Sequence, residues 1–425
     1  MSIKQVEYSN NYLIPFISMV MLFFIVGFLT TANTQFQAPL KATFLADVGS
    51  MKNTLATLIT FSWFLAYPIS GPIGSRWVNR SGYKVTLVRG LGIMIFGLGL
   101  FWLSSVVTVR YPDMVYLWAD NRLPVGFFIF LFGSFTVGAS AAILQVVINP
   151  YLVACLVKNT QAVQRMAIGG TANSIGTTVA PYFVSGIVFG GLSVDEVAVS
   201  QLAFPFLVLI AVVVILVMLL LYLPLPDIEE AHATRGETLE RSVWSFRHLT
   251  LGVIAIFFYV GCEVCIGGNL NLYILSDLQG SIATATLMST LYWGGLLVGR
   301  LISSMLNKIS PRTQLVFTTA MATIFLFIAM WTNNPWLLVA VGLFHSIMWG
   351  CIYTLAVTGL GKYTSIASGV FMIGVVGGAV LPLMQGFIAD MLGSWRWSWS
   401  IVLLGELVML SYAVIGSRIH SHRAA

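Results

Sequence analysis

Of the 425 residues, 58% are hydrophobic and only 8% are charged, and the mean hydropathy is +0.90. A water-soluble domain needs about a quarter of its residues charged, so a soluble enzyme or nucleic-acid-binding domain is excluded. The net charge of +6 is spread over short segments between apolar runs, which marks topology and not affinity for nucleic acid.

Runs of about 20 apolar residues cross a bilayer as helices. In chain order they fall near 12–36, 54–75, 86–108, 124–156, 166–190 and 202–224. A charged stretch, PLPDIEEAHATRGETLERSVWSFRH, follows. Six more runs lie near 249–275, 284–306, 314–332, 336–358, 365–391 and 398–416. The pattern predicts an all-α integral membrane protein of twelve transmembrane helices. Residues 1–224 form one six-helix bundle, 225–248 a central loop and 249–425 a second bundle. The segment VYLWADNRLPVG between the third and fourth runs reads as a short re-entrant or interfacial piece. The first run is too long for a signal peptide and lacks a cleavage site, so it reads as a retained helix.

Alternating the spans from a cytoplasmic N-terminus leaves only Lys41, Lys52, Arg110, Arg122 and Arg396 outside. All other basic residues fall inside, which satisfies the positive-inside rule. Both termini are then cytoplasmic, in a bacterial inner membrane, and the lipid bilayer is the chain's principal surroundings. A monomer is expected.

Four cysteines give no disulfide framework. Cys262 and Cys265 form a CxxC, but no second Cys/His pair accompanies it, so packing outweighs metal or redox chemistry. His345 stands alone within its span, where packing or substrate contact is favoured over metal ligation. No P-loop, GxSxG or HExxH motif is present, which excludes an ATP-driven pump and a membrane hydrolase. No cofactor, metal or enzymatic activity is expected.

Between the second and third runs stands GSRWVNRSGYK, 74–84. Gly74, Asn79, Arg80, Gly82 and Lys84 resemble the G-x4-[DN]-R-x-G-x-[KR] loop of the major facilitator superfamily. Glycines there let two helices approach, and the cations pair with helix ends as a conformational latch. The plainer alternative is an ordinary positive-inside loop. The echo VGRLISSMLNKISPR, carrying Arg300, stands at the matching place in the second half. AAILQVVINPYL, ANSIGTTVAPYF, YVGCEVCIGGNLNLY, GRLISSMLNKISPR and GVVGGAVLPLMQGFIAD follow in order along the chain. They are similar to signatures of the fucose–galactose–glucose:proton symporter family. That resemblance implies two pseudo-symmetric six-helix bundles, a sugar site between them near the midplane and alternating access.

Polar residues at helical spacing supply candidate sugar contacts. Thr30, Asn33, Thr34 and Gln37 fall at i, i+3, i+4 and i+7 on the first helix. Gln145 and Asn149 are four apart on the fourth, and Asn173 and Thr177 on the fifth. Glu263, Gly267 and Asn271 share a drifting face of the seventh, with Asn269 beside them. Tyr292, Trp293, His345 and Trp349 offer stacking surface and further hydrogen bonds. For any one amide the alternative is a bond between helices.

Glu263 is the sharpest candidate, because a carboxylate within a membrane span is a functional hypothesis by default. Of the other acidic residues in the spans, Asp390 lies near a rim and Glu406 on the last helix, which is peripheral in this fold. The resemblance also implies that proton-coupled fucose transport uses an acid after Asn in the first helix and another in the fourth. Here Thr34 follows Asn33, and Gln145 stands in the fourth. Glu263 is left as the ion-coupling candidate, for a proton or sodium. A sugar uniporter, a sugar sensor on the same scaffold and a carrier of a non-sugar solute remain open readings.

Overall fold

The computed structural model describes residues 12–46, 48–49, 51–118, 121–154, 157, 162–188, 190, 203–222, 241–305, 309–360, 367 and 370–418. The central loop expected over 225–248 lies outside the described residues as far as 240. Its end carries a short 3-10 turn, Val243–Ser245.

Among the described residues, twelve long helices follow one another. They are α1 (Leu13–Thr43), α2 (Lys52–Val78), α3 (Arg80–Arg110), α4 (Val125–Ala154), α5 (Ala162–Phe183) and α6 (Ala203–Tyr222). The second set is α7 (Arg247–Ser276), α8 (Ile282–Met305), α9 (Pro311–Thr332), α10 (Pro335–Val357), α11 (Met372–Leu392) and α12 (Trp395–Gly416). Eleven described helices are long and apolar enough to cross a membrane. The exception, α5, carries Arg165, Thr171, Asn173, Ser174, Thr177 and Thr178, and packs between α1 and α8. A helix enclosed by protein on both sides needs less apolar surface than one facing lipid.

One expectation is made specific and another is corrected. The segment after α3 is a β-hairpin, β1 (Val115–Trp118) paired antiparallel with β2 (Asn121–Pro124). Its first strand carries Val115, Tyr116 and Trp118, and it lies at the bundle end, where Asn121 Oδ1 accepts from the Gly49 amide at 3.0 Å. The segment 74–84 is helical rather than a loop, and the chain kinks at Gly82 in the first turn of α3, with φ 78° and ψ 175°. Only glycine adopts that geometry without strain. Gly74 is buried against α4, where an added Cβ would lie 3.2 Å from Ile143 Cα. Lys84 Nζ donates to the Leu221 carbonyl at 2.9 Å, and Arg89 lies over the Trp77 ring at 5.4 Å. Arg80 is exposed, and Asn79 stands between the two spans.

Small residues set helix spacing, as membrane packing requires. The tightest approach joins α7 and α11, where a Cβ on Gly377 would sit 1.7 Å from the Phe257 carbonyl oxygen. Gly377→Ala must push the two backbones apart. Overpacking of this kind costs about 1–3 kcal/mol or more, and the thermal unfolding midpoint in detergent is expected to fall. Gly350→Ala, which faces open space, is the matched control and leaves the midpoint unchanged.

Candidate functional site

The bundles meet where α1 loosens at Phe36, between Gln35 and Gln37. Gln35 Nε2 donates to the Gly267 carbonyl at 3.2 Å and to Ser289 Oγ at 3.1 Å, and Gln35 Oε1 accepts from Asn271 Nδ2. One α1 amide therefore touches both α7 and α8. Gln37 Nε2 donates to Thr60 Oγ1 of its own bundle. A Cβ on Gly268 would lie 3.3 Å from Thr34 Cβ and 3.8 Å from Gln37 Nε2, so α7 lies against this part of α1. The Trp293 indole rests on Gly267, where a Cβ would come within 2.2 Å of the ring. On another face of α7, Asn269 Nδ2 donates to Gln385 Oε1 of α11 at 2.9 Å.

These contacts leave polar atoms over. Gln37 Oε1, Asn149 Oδ1, Asn269 Oδ1, Asn271 Oδ1, Trp293 Nε1 and Gln385 Nε2 are buried without a hydrogen-bond partner. Each such atom costs about 1–3 kcal/mol. Native interiors hold few of them. Those on Gln37, Asn271 and Trp293 lie where α1 meets α7 and α8, and acceptors and donors left open there suit a ligand rich in hydroxyl groups.

The remaining predicted residues divide. Asn33 is committed inside its own bundle, with Nδ2 to the Ile59 carbonyl at 3.4 Å and Oδ1 accepting from Ser134 Oγ at 2.9 Å. Asn173 Nδ2 donates to the Phe23 carbonyl at 3.0 Å and ties α5 to α1. Gln145 is half-buried on α4, one turn from Asn149, and donates to the Tyr67 hydroxyl at 2.8 Å. Trp349 is half-buried and meets Tyr259 and Phe371 edge-on, at 6.3 and 5.9 Å.

His345 is not isolated, as its sequence position suggested. Its Nε2 lies 2.6 Å from Glu406 Oε1, with both side chains fully buried. Its Nδ1 lies 2.8 Å from the Tyr292 hydroxyl. Both ring nitrogens are thus engaged by protein groups, which leaves no ring nitrogen for a substrate. Glu263 is half-buried, and its Oε1 accepts from the Tyr259 hydroxyl at 3.0 Å. The same hydroxyl contacts the His345 carbonyl at 3.0 Å.

Contacts between the bundles also occur nearer each membrane face. On the Gly82 side, Arg300 of α8 donates to the Gly170 carbonyl at 3.2 Å and to Ser174 Oγ, both on α5. On the hairpin side, Asp390 of α11 caps the start of α2. Its carboxylate accepts from the Asn53 amide at 3.2 Å, the Thr54 amide at 2.8 Å and Thr54 Oγ1 at 2.6 Å. A carboxylate at a helix N-terminus is favoured by the helix dipole. Lys41 Nζ adds bonds to Asn53 Oδ1 at 2.6 Å and Ser276 Oγ at 3.1 Å.

Sequence reasoning missed Gln35, Gln385, Tyr259 and the part played by Glu406. Gln35 was visible as an amide within an apolar run, though off the polar stripe of α1. Nothing local in the sequence pairs Glu406 with a histidine 61 positions away.

Two six-helix bundles, touching through amides at the centre and through single charged side chains toward either face, define a carrier that opens to alternate sides of a membrane. The Major Facilitator Superfamily model matches residues 23–375, and the chain belongs to that superfamily. It is similar to the glucose/galactose transporter of Brucella abortus biovar 1 (strain 9-941), 34% identical over 418 residues that cover 96% of this chain and 95% of the relative. It is also similar to the L-fucose-proton symporter of Escherichia coli (strain K12), 22% identical over 421 residues that cover 92% and 90%. A crystal structure of the E. coli fucose:proton symporter FucP superposes with a TM-score of 0.68 at 20% identity, covering 96% of this chain and 100% of the other.

Proposed function

We propose that the protein is a secondary active transporter that takes up a monosaccharide of the glucose/galactose type together with a proton. The observation that carries this reading is the set of unpaired amide and indole atoms on Gln37, Asn271 and Trp293, where α1 of one bundle meets α7 and α8 of the other. A pyranose presents several hydroxyl groups, each donor and acceptor, and a flat apolar face suited to Trp293. The relatives' glucose/galactose and fucose-proton names point the same way. Gln145 completes the proposed sugar site, and Glu263 is the proposed coupling carboxylate.

Alternating access then requires the Asp390 cap on α2 and the Arg300 bonds to α5 to break in turn. Gly74, Asn79, Arg80, Gly82 and Lys84 belong to the latch that steadies one of those states. The face that carries Gly82 is cytoplasmic, as are both termini, and the protein works as a monomer in a bacterial inner membrane. Residues 1–224 and 249–425 are the two moving bundles, joined by 225–248.

Uptake into liposomes tests the reading. Glucose, galactose and fucose are offered with an inside-alkaline pH gradient, a sodium gradient or neither. Glucose or galactose is expected to accumulate under the pH gradient alone, and a protonophore abolishes the effect. Accumulation only with sodium reassigns the ion. Exchange of none of these sugars removes the sugar reading in favour of another solute.

A further inference from the structure

Glu406 has no role in the sugar site, yet it is an acidic side chain fully enclosed in α12. Its Oε1 faces His345 Nε2 at 2.6 Å, and its Oε2 has no partner. On the far side of the imidazole, Nδ1 lies 2.8 Å from the Tyr292 hydroxyl, which also lies 3.1 Å from the Glu263 carbonyl.

Proton counting along this chain is decisive. A neutral imidazole has one donor nitrogen, and a tyrosine hydroxyl has one hydrogen. Suppose that the pair holds one proton, on Nε2 toward the Glu406 carboxylate. Nδ1 must then take the Tyr292 hydrogen, the Glu263 carbonyl loses it, and the enclosed pair carries a net negative charge. With a second proton the pair is neutral, as imidazolium and carboxylate or as imidazole and carboxylic acid. Nδ1–H then donates to the Tyr292 oxygen, and the Tyr292 hydrogen is free for the Glu263 carbonyl. All three contacts are satisfied only in the two-proton state.

We propose that His345 and Glu406 form a buried proton-binding site of the transport cycle, with the half-buried Glu263 as its accessible partner. The inference rests on the reading of the protein as a proton-coupled sugar carrier. A proton taken up by the Glu263 carboxylate passes to the His345–Glu406 pair. The Glu263 carboxylate itself touches Tyr259, and Tyr292 touches the Glu263 backbone carbonyl. In the transfer an O–H bond of the Glu263 carboxyl group breaks and an N–H bond forms at His345 Nδ1, and the reverse step restores the Glu263 carboxyl group. In the forward step Glu263 regains its charge, and nothing is oxidised or reduced. The titratable groups facing the pair are Tyr259, Cys262 and Glu263 of α7 and Tyr292 of α8, with Arg300 of α8 reaching Glu263 and the Ser346 carbonyl next to His345. Helix α9 carries one charged side chain, Arg312 in its first turn, which bonds the Ala413 carbonyl at 3.0 Å.

The test uses Glu406→Gln and His345→Gln in liposomes, with sugar exchange and pH-driven accumulation measured separately, and infrared pH titration of the purified protein. Both variants are expected to lose accumulation down to the equilibrium level while exchange persists. A pH-dependent carboxyl band of the wild type disappears in Glu406→Gln. Wild-type accumulation in both variants overturns the inference. So does loss of exchange together with a lowered melting temperature and an unchanged infrared band, which makes the pair a structural brace. A wild type that exchanges no sugar but loses its titrating band in Glu406→Gln refutes the sugar reading and leaves the proton site standing.

Discussion

Glu263→Gln is expected to leave sugar exchange in place and to abolish accumulation against a gradient. The variant keeps the size of the side chain and an acceptor for the Tyr259 hydroxyl, which lies 3.0 Å from Oε1 in the wild type. It removes the only property that a coupling group needs, which is a change of charge within the cycle. A proton moving through 100 mV carries about 2.3 kcal/mol. At 1.4 kcal/mol per tenfold, one proton per sugar sustains an accumulation of about fiftyfold. The variant should reduce that ratio to one, a change that an uptake time course reads directly. Glu263→Ala goes further, because it also strips Tyr259 of its carboxylate partner. Exchange should then fall as well. Accumulation by Glu263→Gln at the wild-type level would remove Glu263 from the coupling machinery and leave it as a sugar ligand or a bond between side chains.

Eleven of the described helices were legible because each is a long apolar run, and long runs have one interpretation in a membrane protein. The hairpin was not. Four-residue strands carry too little pattern, and VYLWADNRLPVG was also short enough for an interfacial piece. The helical state of 74–84 was hidden for a different reason. Its charged and glycine-rich composition suggests a loop, but a single residue, Gly82, turns the chain.

The site was legible in outline only. Periodicity on α1 gathers Thr30, Asn33, Thr34 and Gln37 on one stripe, as if the helix had a single polar face. Helix α1 lies between its own bundle and the other one, so it needs polar contacts on two faces. Asn33 is spent on Ser134 and Ile59, inside the first bundle. Gln35, off the stripe, reaches α7 and α8. On α7 the glutamate and the amides stood out because any polar group there is costly. Their partners Gln35, Gln385, Tyr259 and Tyr292 were undetermined, because pairing depends on how the bundles meet and not on spacing along one helix.

Gln35 and Asn271 give the second large effect. Gln35 makes three contacts across the interface, to Gly267, Ser289 and Asn271, and is 4% exposed. Gln35→Ala deprives Asn271 Nδ2 of its acceptor beside an Oδ1 that already lacks a donor. Leaving a buried polar group unpaired costs about 1–3 kcal/mol. If that loss falls on the sugar-bound state, the sugar Kd rises about 5- to 150-fold at 1.4 kcal/mol per tenfold. Asn271→Ala should do the same. The two changes remove one shared bond, so the double variant should be weaker than wild type by less than the sum of the singles. Isothermal titration of the four proteins measures that difference. The melting temperatures should stay close together, because neither side chain braces its own bundle. Additive losses would mean that the two amides act separately. Wild-type affinity in both single variants would place the sugar elsewhere, with the α4 pair Gln145 and Asn149 as the next site to alter.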